Sequence, residues 1–335
     1  MTMLPSRTTT VSPSRASLTV PVVPATVADS AVTAAIDSVA SLDSGVSPGP
    51  VASLSPSRAA DFKACPLLFR FRTIDKLPEP PSPAAVRGTV VHAVLERLFD
   101  LPASGRTLVA AQALVDPVWR ELIAEDPELV AVCSSPASRP VEASALGDEI
   151  QPDIERVWLA GADTLLQTYF RLEDPTLLEP AAREQRVEVD AAGLRLRGII
   201  DRIDVSASGQ VRIVDYKTGA SPREAFEAKA MFQLKFYALV LWKTRGEVPA
   251  ALRLMYLADG ETLTYAPDAA ELQRFERTLI AIAAAINRAI AARDFRPHRS
   301  RLCEWCAHQA LCPAFGGTPP SYPACESGTS PAAAG

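Results

Sequence analysis

The sequence lacks a phosphate-binding loop of the form G-x(4)-G-K-[ST] and has no internal repeat. The missing loop excludes a nucleotide-driven motor. The N-terminus also lacks the basic region, apolar run and small-residue cleavage site of a secretory signal. The most apolar stretch, LIAIAAAINRAIAA from Leu279, is interrupted by Asn287 and Arg288 and is too short to cross a bilayer. We therefore expect a cytoplasmic protein without a membrane partner.

The first fifty residues lack aromatic side chains and any sustained hydrophobic period. They consist mainly of Ser, Thr, Pro, Ala and Val, and the last twenty residues have the same character. Segments of this kind do not bury enough apolar surface to fold. We predict a disordered leader over residues 1–53, one domain over residues 54–315 and a disordered tail over residues 316–335.

Positive charge is not in excess, because 34 Lys and Arg stand against 39 Asp and Glu, for a net charge of -5. This balance is not that of a passive nucleic-acid coat, although it leaves room for a local basic groove. Between Arg58 and Arg97, seven basic residues are interleaved with three phenylalanines against four acids. A second basic run near the cysteines comprises Arg293, Arg296, Arg299 and Arg301. Either run suits a groove that tracks phosphates and stacks bases, or is ordinary solvated charge.

The hydrophobic pattern predicts helices at both ends of the domain and strands in its middle. Ser55 followed by Pro56 is a helix start signal, and RGTVVHAVLERLFD predicts a second helix. The apolar side of that helix comprises Val91, Val94, Leu95, Leu98 and Phe99. Residues 107–172 predict further helices between loops that contain proline.

A period of two begins at Val187 and predicts three antiparallel strands, joined by the turns DAAG and SASGQ. A helix that ends at Gly246, a hairpin and a long amphipathic helix follow. These elements predict an α/β domain, in which a mixed β-sheet of about five strands is flanked by helices, with a helical insertion.

Two acidic residues of the middle strands are predicted to face each other. A turn centred on SASGQ pairs Ile203 with Ile213, and therefore Asp201 with Asp215. Directly opposed like charges destabilise a sheet unless a positive group lies between them. Lys217 lies on the same face as Asp215, because strand side chains repeat every two residues. Two carboxylates and an ammonium group suit Mg²⁺ or Mn²⁺. The alternative is a salt-bridged hairpin on a solvent face, although both acids stand in otherwise apolar strands.

The order of these residues resembles the D…(D/E)-x-K core of the PD-(D/E)XK nuclease superfamily. The segments GIIDRID, IVDYKTG and QLKFYAL are similar, more narrowly, to its RecB-type exonuclease branch. That branch also has a G-x(3)-H-x(3)-E helix before the core and a Q-x(3)-Y pair after it. The matching residues are Gly88, His92, Glu96, Gln233 and Tyr237. The resemblance covers residues 54–315 and implies a restriction-endonuclease-like core.

The resemblance also implies a function. It indicates a metal-dependent deoxyribonuclease, an exonuclease that hydrolyses phosphodiester bonds in DNA repair or recombination. The implied partners are DNA that is single-stranded or has free ends, and a helicase or repair protein. The alternatives are a flap nuclease or CRISPR-adaptation-like nuclease, a catalytically silent DNA-binding scaffold, and a redox sensor. A silent scaffold would lack a catalytic residue, and none is missing here.

The roles of the core residues follow from the chemistry of phosphodiester hydrolysis, which needs an activated water and stabilisation of charge on the phosphate. Asp201 and Asp215 would hold the metal, and the resemblance adds the backbone carbonyl of Tyr216 as a ligand. Lys217 would orient the water or stabilise the developing negative charge.

Two residue pairs with helical spacing accompany this core. His92 and Glu96 are one turn apart, so both can reach the same metal region. A single helical histidine is often a surface or core residue, and it is the resemblance that favours His92 as a ligand. Gln233 and Tyr237 are spaced in the same way on an apolar helix. They either contact phosphate or form a core tyrosine with a buried glutamine, and we expect them to support the site.

The cysteines form a second candidate metal site. Cys303, Cys306 and Cys312 follow a C-x(2)-C-x(5)-C-P pattern, and Cys65 lies at the other end of the domain. Six cysteines in a cytoplasmic protein of this length favour metal over disulfides. The spacing alone leaves structural Zn²⁺ open, with His308 as a competing ligand. The RecB-type branch includes members with one upstream and three downstream cysteines on a [4Fe-4S] cluster, and this resemblance favours the cluster.

Overall fold

The computed structural model describes residues 51–133, 154–221 and 224–323. The helices in these ranges are α1 (Pro56–Ala64), α2 (Pro66–Phe69), α3 (Pro83–Leu98), α4 (Leu108–Ala113), α5 (Val115–Glu125), α6 (Leu129–Cys133), α7 (Ile154–Leu172), α8 (Glu224–Arg245) and α9 (Ala269–Ala292). The strands are β1 (Ser53–Leu54), β2 (Ala182–Ala191), β3 (Leu194–Val205), β4 (Val211–Lys217), β5 (Ala251–Tyr256) and β6 (Glu261–Tyr265). Most of the predicted leader, the end of the predicted tail and Cys325 lie outside the described residues.

The six strands form one mixed sheet in the order β1–β3–β4–β5–β6, with β2 also paired to β3. β2, β3 and β4 are consecutive antiparallel strands, as predicted, and β5 and β6 form the predicted hairpin. β4 and β5 run parallel, and the crossover between them contains α8. The predicted mixed α/β architecture is confirmed. β1 is an additional short strand, and β2 begins at Ala182, five residues before the period of two becomes visible.

Hydrophobic side chains cover both faces of the sheet. One core lies between the sheet and helices α1, α8 and α9. The other packs helices α3, α5 and α7 against the opposite face, and the predicted apolar side of α3 contributes Val91, Val94, Leu95 and Leu98 to it. The C-terminal end of β4 lies between α3, whose His92 contacts Tyr216, and α8, whose Gln233 contacts Lys217.

Helix α1 begins after the predicted cap at Ser55 and ends before Pro66. The Ser55 hydroxyl accepts a hydrogen bond of 3.3 Å from the Arg58 backbone N–H, so Ser55 is the predicted N-cap. The helix ends at Ala64 because the next residue, Cys65, precedes Pro66, and a residue before proline disfavours the helical conformation; Cys65 is extended here. This break between α1 and α2 presents the Cys65 side chain to the C-terminal segment.

Residues at the start of the predicted tail pack on the domain. Tyr322 stacks on Phe295 with ring centroids 6.1 Å apart, and the guanidinium of Arg70 lies 5.3 Å from the Tyr322 ring centroid. Arg70 Nη2 also donates a hydrogen bond to the carbonyl of Pro320. Pro320 and Tyr322 therefore pack against Arg70, which directly follows α2, and against Phe295. None of the helices in the described ranges is long and apolar enough to cross a membrane.

Candidate active site

Asp215 and Lys217 lie together at the end of β4. The Lys217 ammonium is 2.6 Å from Oδ2 of Asp215, as expected for side chains on one face of a strand. Asp215 is only 1% exposed, although it carries a carboxylate. Asp215 is thus buried while the Lys217 side chain is 29% exposed, which differs from the alternative of a salt bridge on a solvent face.

Asp201 reaches the same place from β3 in a way that regular strand pairing does not predict. The ladder between β3 and β4 contains the predicted Ile203–Ile213 pair, but it ends one pair before Asp201 and Asp215. Asp201 Oδ2 instead accepts a hydrogen bond of 2.7 Å from the backbone N–H of Tyr216. In a regular strand, side chains on one face are two or four residues apart. Ile200 and Ile203 are three residues apart but lie in the same core, so the alternation of side chains is interrupted next to Asp201.

Glu184, on β2, is a site residue that was absent from the sequence predictions. The pairs on either side of it in the β2–β3 ladder are Arg183–Arg202 and Gln185–Ile200, which places Glu184 opposite Asp201. Its backbone φ is +41°, a left-handed conformation that is rare for a residue with a side chain. The sequence could have predicted this position from the DAAG turn, which pairs Ala191 with Leu194. Seven positions further along both strands, the same register places Glu184 opposite Asp201.

His92 enters the site from α3. Its Nε2 lies 3.0 Å from the backbone carbonyl of Tyr216, and its Nδ1 lies 3.5 Å from Oδ2 of Asp201 and 3.8 Å from Oε1 of Glu184. Gly88, one turn earlier, allows the close approach, since a Cβ there would lie 3.0 Å from the Thr218 hydroxyl. The predicted G-x(3)-H spacing thus corresponds to a helix that packs tightly on the end of β4.

Glu96 lies one turn beyond His92 on α3. Burial raises the pKa of its carboxyl, and the charge of Glu184 adds to the effect. Among the described residues, the potential ligand atoms that lie within 4.8 Å of one another belong to His92, Glu184 and Asp201, and neither Glu96 nor Asp215 is among them. A catalytic role for Glu96 stays a prediction.

The electrostatics of the site are dominated by its buried carboxylates. Burial raises the pKa of Asp215 to about 6, and the neighbouring charge of Asp201 contributes. Burial also raises the pKa of Asp201. Burial alone would lower the pKa of His92, but Asp201, Glu184 and Asp215 outweigh it and raise that pKa to about 9. Burial likewise opposes the charge of Lys217, but Asp215 raises the pKa of the ammonium group. In the metal-free site, the protonated His92 therefore supplies positive charge next to the carboxylates. A bound cation would supply that charge instead.

The donor set fits a hard divalent cation. Carboxylate and carbonyl oxygens are the preferred ligands of Mg²⁺, and Mn²⁺ also accepts imidazole. Oδ1 of Asp215 is buried and has no hydrogen-bond partner among the described residues, which leaves a lone pair for a metal. His92 Nε2 lies within hydrogen-bond distance of the Tyr216 carbonyl, and its Nδ1 faces Asp201 and Glu184.

Gln233 and Tyr237 extend the site along α8. Lys217 donates a hydrogen bond of 2.9 Å to Oε1 of Gln233, whose amide donates one of 3.0 Å to the Tyr237 hydroxyl. The Tyr237 ring lies over Gly198, where a Cβ would be 2.7 Å from the ring. This chain of contacts holds Lys217 between Asp215 and Gln233, so the two α8 residues support the lysine in this structure.

A buried ion cluster lies behind the site. Arg202 has no solvent exposure and pairs with Glu173 and Asp204, while its Nη1 donates a hydrogen bond of 2.7 Å to the Tyr216 hydroxyl. Such a charge is tolerated because its donors are paired. The cluster fixes the Tyr216 side chain on the face of β4 opposite to Asp215.

The four predicted cysteines converge at a second place. Cys65, Cys303, Cys306 and Cys312 line one cavity of about 50 Å³ together with apolar side chains. The backbone N–H of His298 lies 3.4 Å from Sγ of Cys65, and the N–H of Ser300 lies 3.3 Å from Sγ of Cys303. His308 is buried and pairs with Glu79 at 2.7 Å, so it is engaged outside this sulfur set. Cys133 lies apart, in the core under α3.

The fold and the D…D-x-K site define a nuclease of the restriction-endonuclease-like class. A family profile of the PD-(D/E)XK nuclease superfamily matches residues 53–313, and the chain belongs to this superfamily. The curated relatives include the "Gene 69 protein" of Mycobacterium phage L5, 26% identical over 291 residues, or 78% of this chain and 96% of the relative. The protein of the same name from Mycobacterium phage D29 is 27% identical over 198 residues, or 57% of this chain and 70% of the relative.

A solved structure from Eubacterium rectale, named "Putative exonuclease", is also similar to the chain. Its TM-score is 0.48 at 14% sequence identity, and the match covers 77% of this chain and 88% of that one. The membership in the superfamily rests on the family profile and not on this likeness.

Proposed function

We propose that the chain is a divalent-metal-dependent deoxyribonuclease of the RecB-type branch, an exonuclease that acts on DNA with single-stranded or free ends in repair or recombination. The observation that carries this proposal is the buried Asp215 carboxylate, which lies 2.6 Å from Lys217 and has one oxygen, Oδ1, without a hydrogen-bond partner among the described residues. A buried oxygen without a hydrogen bond lowers the stability of the fold by about 1 to 3 kcal/mol. A carboxylate with only a structural role would not be expected to keep such an oxygen. A bound cation removes that cost.

The proposed ligands are Asp201, Asp215, His92 and the Tyr216 carbonyl, with Glu184 as an additional carboxylate. Mg²⁺ or Mn²⁺ bound there would acidify a water and offset charge on the phosphate. The Tyr216 N–H holds Asp201 in place by its hydrogen bond. His92 must be neutral to act as a ligand, so it would release its proton on binding a cation.

Lys217 supplies the positive charge on the substrate side. Its ammonium group is held by Asp215 and Gln233, which leaves one of its three N–H donors for a phosphate oxygen or a water. Because Gln233 is fixed in turn by Tyr237, the donor is oriented before the substrate arrives. A donor positioned in advance stabilises the developing charge without a reorganisation cost.

For the second site we propose a [4Fe-4S] cluster on Cys65, Cys303, Cys306 and Cys312. A tetrahedral Zn²⁺ site has sulfur atoms ~3.8 Å apart, since each Zn–S bond is about 2.3 Å. No three of the four sulfurs lie within 4.8 Å of one another. The wider spacing supports a larger inorganic group over a single zinc ion. Structural Zn²⁺ is the alternative that metal analysis would detect.

The experiment is a cleavage assay with purified protein on end-labelled single-stranded, duplex, flap and circular DNA, with Mg²⁺ or Mn²⁺. The proposal predicts degradation from the ends of linear DNA, no cleavage of circular single strands, and loss of all cleavage with EDTA. Cleavage of circles would indicate an endonuclease. Binding of DNA without cleavage of any substrate would indicate a silent scaffold.

A further inference from the structure

An exposed apolar patch lies beside the four cysteines. Trp305 is 75% exposed, Leu302 46% and Phe315 41%. Leu302 and Trp305 are three residues apart in the 3₁₀ turn Arg301–Trp305, where side chains at that spacing are eclipsed. Leu302 and Phe315 both line the cysteine cavity. These three side chains therefore form one surface, called the Trp305 patch below.

The Trp305 patch includes a stacked cation. The guanidinium of Arg299 lies 4.6 Å from the centroid of the Phe315 ring. In the described part of the chain Arg299 forms no ion pair, whereas the nearby Arg296 pairs with Asp294. Glu304 is the acid of this turn, three residues after Arg301. An exposed indole and an arginine stacked on an aromatic ring are each features that hold unpaired bases.

Helix α1 connects the patch to the active site. Pro56, at its start, packs beside Gly198 and Tyr237, and Cys65 follows its end. Nine helical residues span about 14 Å. Arg58 and Lys63 on this helix form no ion pair with a carboxylate of the described residues. Burial and then the charge of Arg197 lower the pKa of Arg58, as expected for a cation without a counter-ion.

We propose that the Trp305 patch binds the single-stranded part of the DNA substrate, with bases stacked on Trp305 and on the Arg299–Phe315 pair. This inference rests on the proposed nuclease function. Single-stranded DNA fits better than a protein partner for two reasons. A stable protein interface buries about 800 Å² on each side, more than three partly exposed side chains offer, and the helix between the patch and the active site carries Arg58 and Lys63.

The test is the affinity of the protein, with its cysteine-bound metal retained, for fluorescent oligothymidine in the absence of Mg²⁺ and Mn²⁺. Trp305→Ala should weaken binding about 5- to 100-fold, the range for the loss of one stacked base. Trp305→Phe should keep most of the affinity. Leu177→Ala is the control, since Leu177 is 76% exposed and does not line the cysteine cavity, and the affinity of this variant should equal that of the wild type. In cleavage assays Trp305→Ala should raise KM more than it lowers kcat.

Intrinsic tryptophan fluorescence gives a second readout that does not depend on the alanine variant. Oligothymidine should quench the wild type, and the quenching should be absent in Trp305→Phe. If the wild type cleaves DNA while Trp305→Ala binds it as tightly as the wild type, the patch inference is wrong and the nuclease proposal stands. If the wild type neither binds nor cleaves DNA, both are wrong. An unchanged DNA affinity with an altered oligomeric state would assign the patch to a protein contact.

Discussion

The backbone N–H of Tyr216 donates a hydrogen bond of 2.7 Å to Oδ2 of Asp201. Tyr216 stands between Asp215 and Lys217, so this bond ties β3 to the segment of β4 that carries both residues. The carbonyl of Tyr216 lies 3.0 Å from Nε2 of His92. The backbone of one residue therefore sets the distance of both β3 and α3 from the proposed metal site.

The side chain of Tyr216 has a separate, structural role. Its hydroxyl bonds to the buried Arg202, and Tyr216→Phe would remove this partner from a charge with no solvent access. We expect the free energy of unfolding to fall by about 1 to 3 kcal/mol. Tyr265→Phe, which removes a hydroxyl bonded to Glu271 nearer the surface, should cost less. Urea denaturation of both variants measures the difference, and equal losses would contradict the account of the buried cluster.

Glu184 should contribute to metal binding. Glu184→Gln keeps the shape of the side chain and removes its charge, so the Mg²⁺ concentration needed for half-maximal cleavage should rise by roughly 10-fold or more. Glu188→Gln on the same strand is the control, because Glu188 is exposed and pairs with Arg195. A Mg²⁺ titration of cleavage distinguishes them. An unchanged requirement in Glu184→Gln would remove Glu184 from the site.

Metal affinity should depend on pH through His92. The pKa of His92 is raised to about 9 in the metal-free site, so its proton must leave before the imidazole can bind a cation. Below that pKa the affinity should fall about tenfold for each unit of pH, and more steeply below about 6, where Asp215 is also protonated. Titration calorimetry with Mn²⁺ at several pH values measures the slope. Between pH 6.5 and 8.5 a constant affinity would exclude His92 as a ligand.

The cysteine site should act as a staple of the fold. Cys65 and Cys303 are 238 positions apart (303 minus 65), so a metal group that joins them closes almost the whole domain into a loop. The chain-entropy relation for crosslinks gives a stabilisation of roughly 5 kcal/mol, which strain reduces. Cys65→Ala should lower the melting temperature about as much as Cys303→Ala. Cys133→Ala, at a cysteine of the opposite core, should leave the metal content unchanged. Loss of metal in Cys303→Ala alone would exclude Cys65 as the fourth ligand.

The identity of that metal is measurable on anaerobically purified protein. The [4Fe-4S] proposal predicts brown protein with about four iron atoms per chain. Colourless protein with one zinc per chain and full activity would favour the zinc alternative.

Regular secondary structure made much of this arrangement predictable from sequence. The turn SASGQ gave the correct register of β3 and β4, and the period of two placed Lys217 beside Asp215. The helix cap at Ser55 and the apolar side of α3 were also predictable, because both depend only on residues close together in the sequence.

The unpredicted features are departures from that regularity. The left-handed backbone at Glu184 and the change of alternation at Asp201 interrupt the β2–β3 ladder at one place. The period of two is visible only from Val187 and therefore leaves out Glu184, although the register of the DAAG turn extends to it, and regular pairing of β3 with β4 would place Asp201 directly opposite Asp215. Arg202 was also not predicted to be buried, because its partner Glu173 comes from the end of a distant helix. Long-range ion pairs leave no periodic signal in the sequence.

The most direct test of the central claim is the metal-dependent cleavage of end-labelled DNA by the wild type, Asp215→Ala, Lys217→Ala and Lys235→Ala, purified in parallel. Lys235 is a matched control, since it lies on α8 in an ion pair with Glu271 outside the site. The account predicts that Asp215→Ala and Lys217→Ala each lower kcat by roughly 100-fold or more, while Lys235→Ala cleaves like the wild type. Cleavage at the wild-type rate by both Asp215→Ala and Lys217→Ala would contradict it.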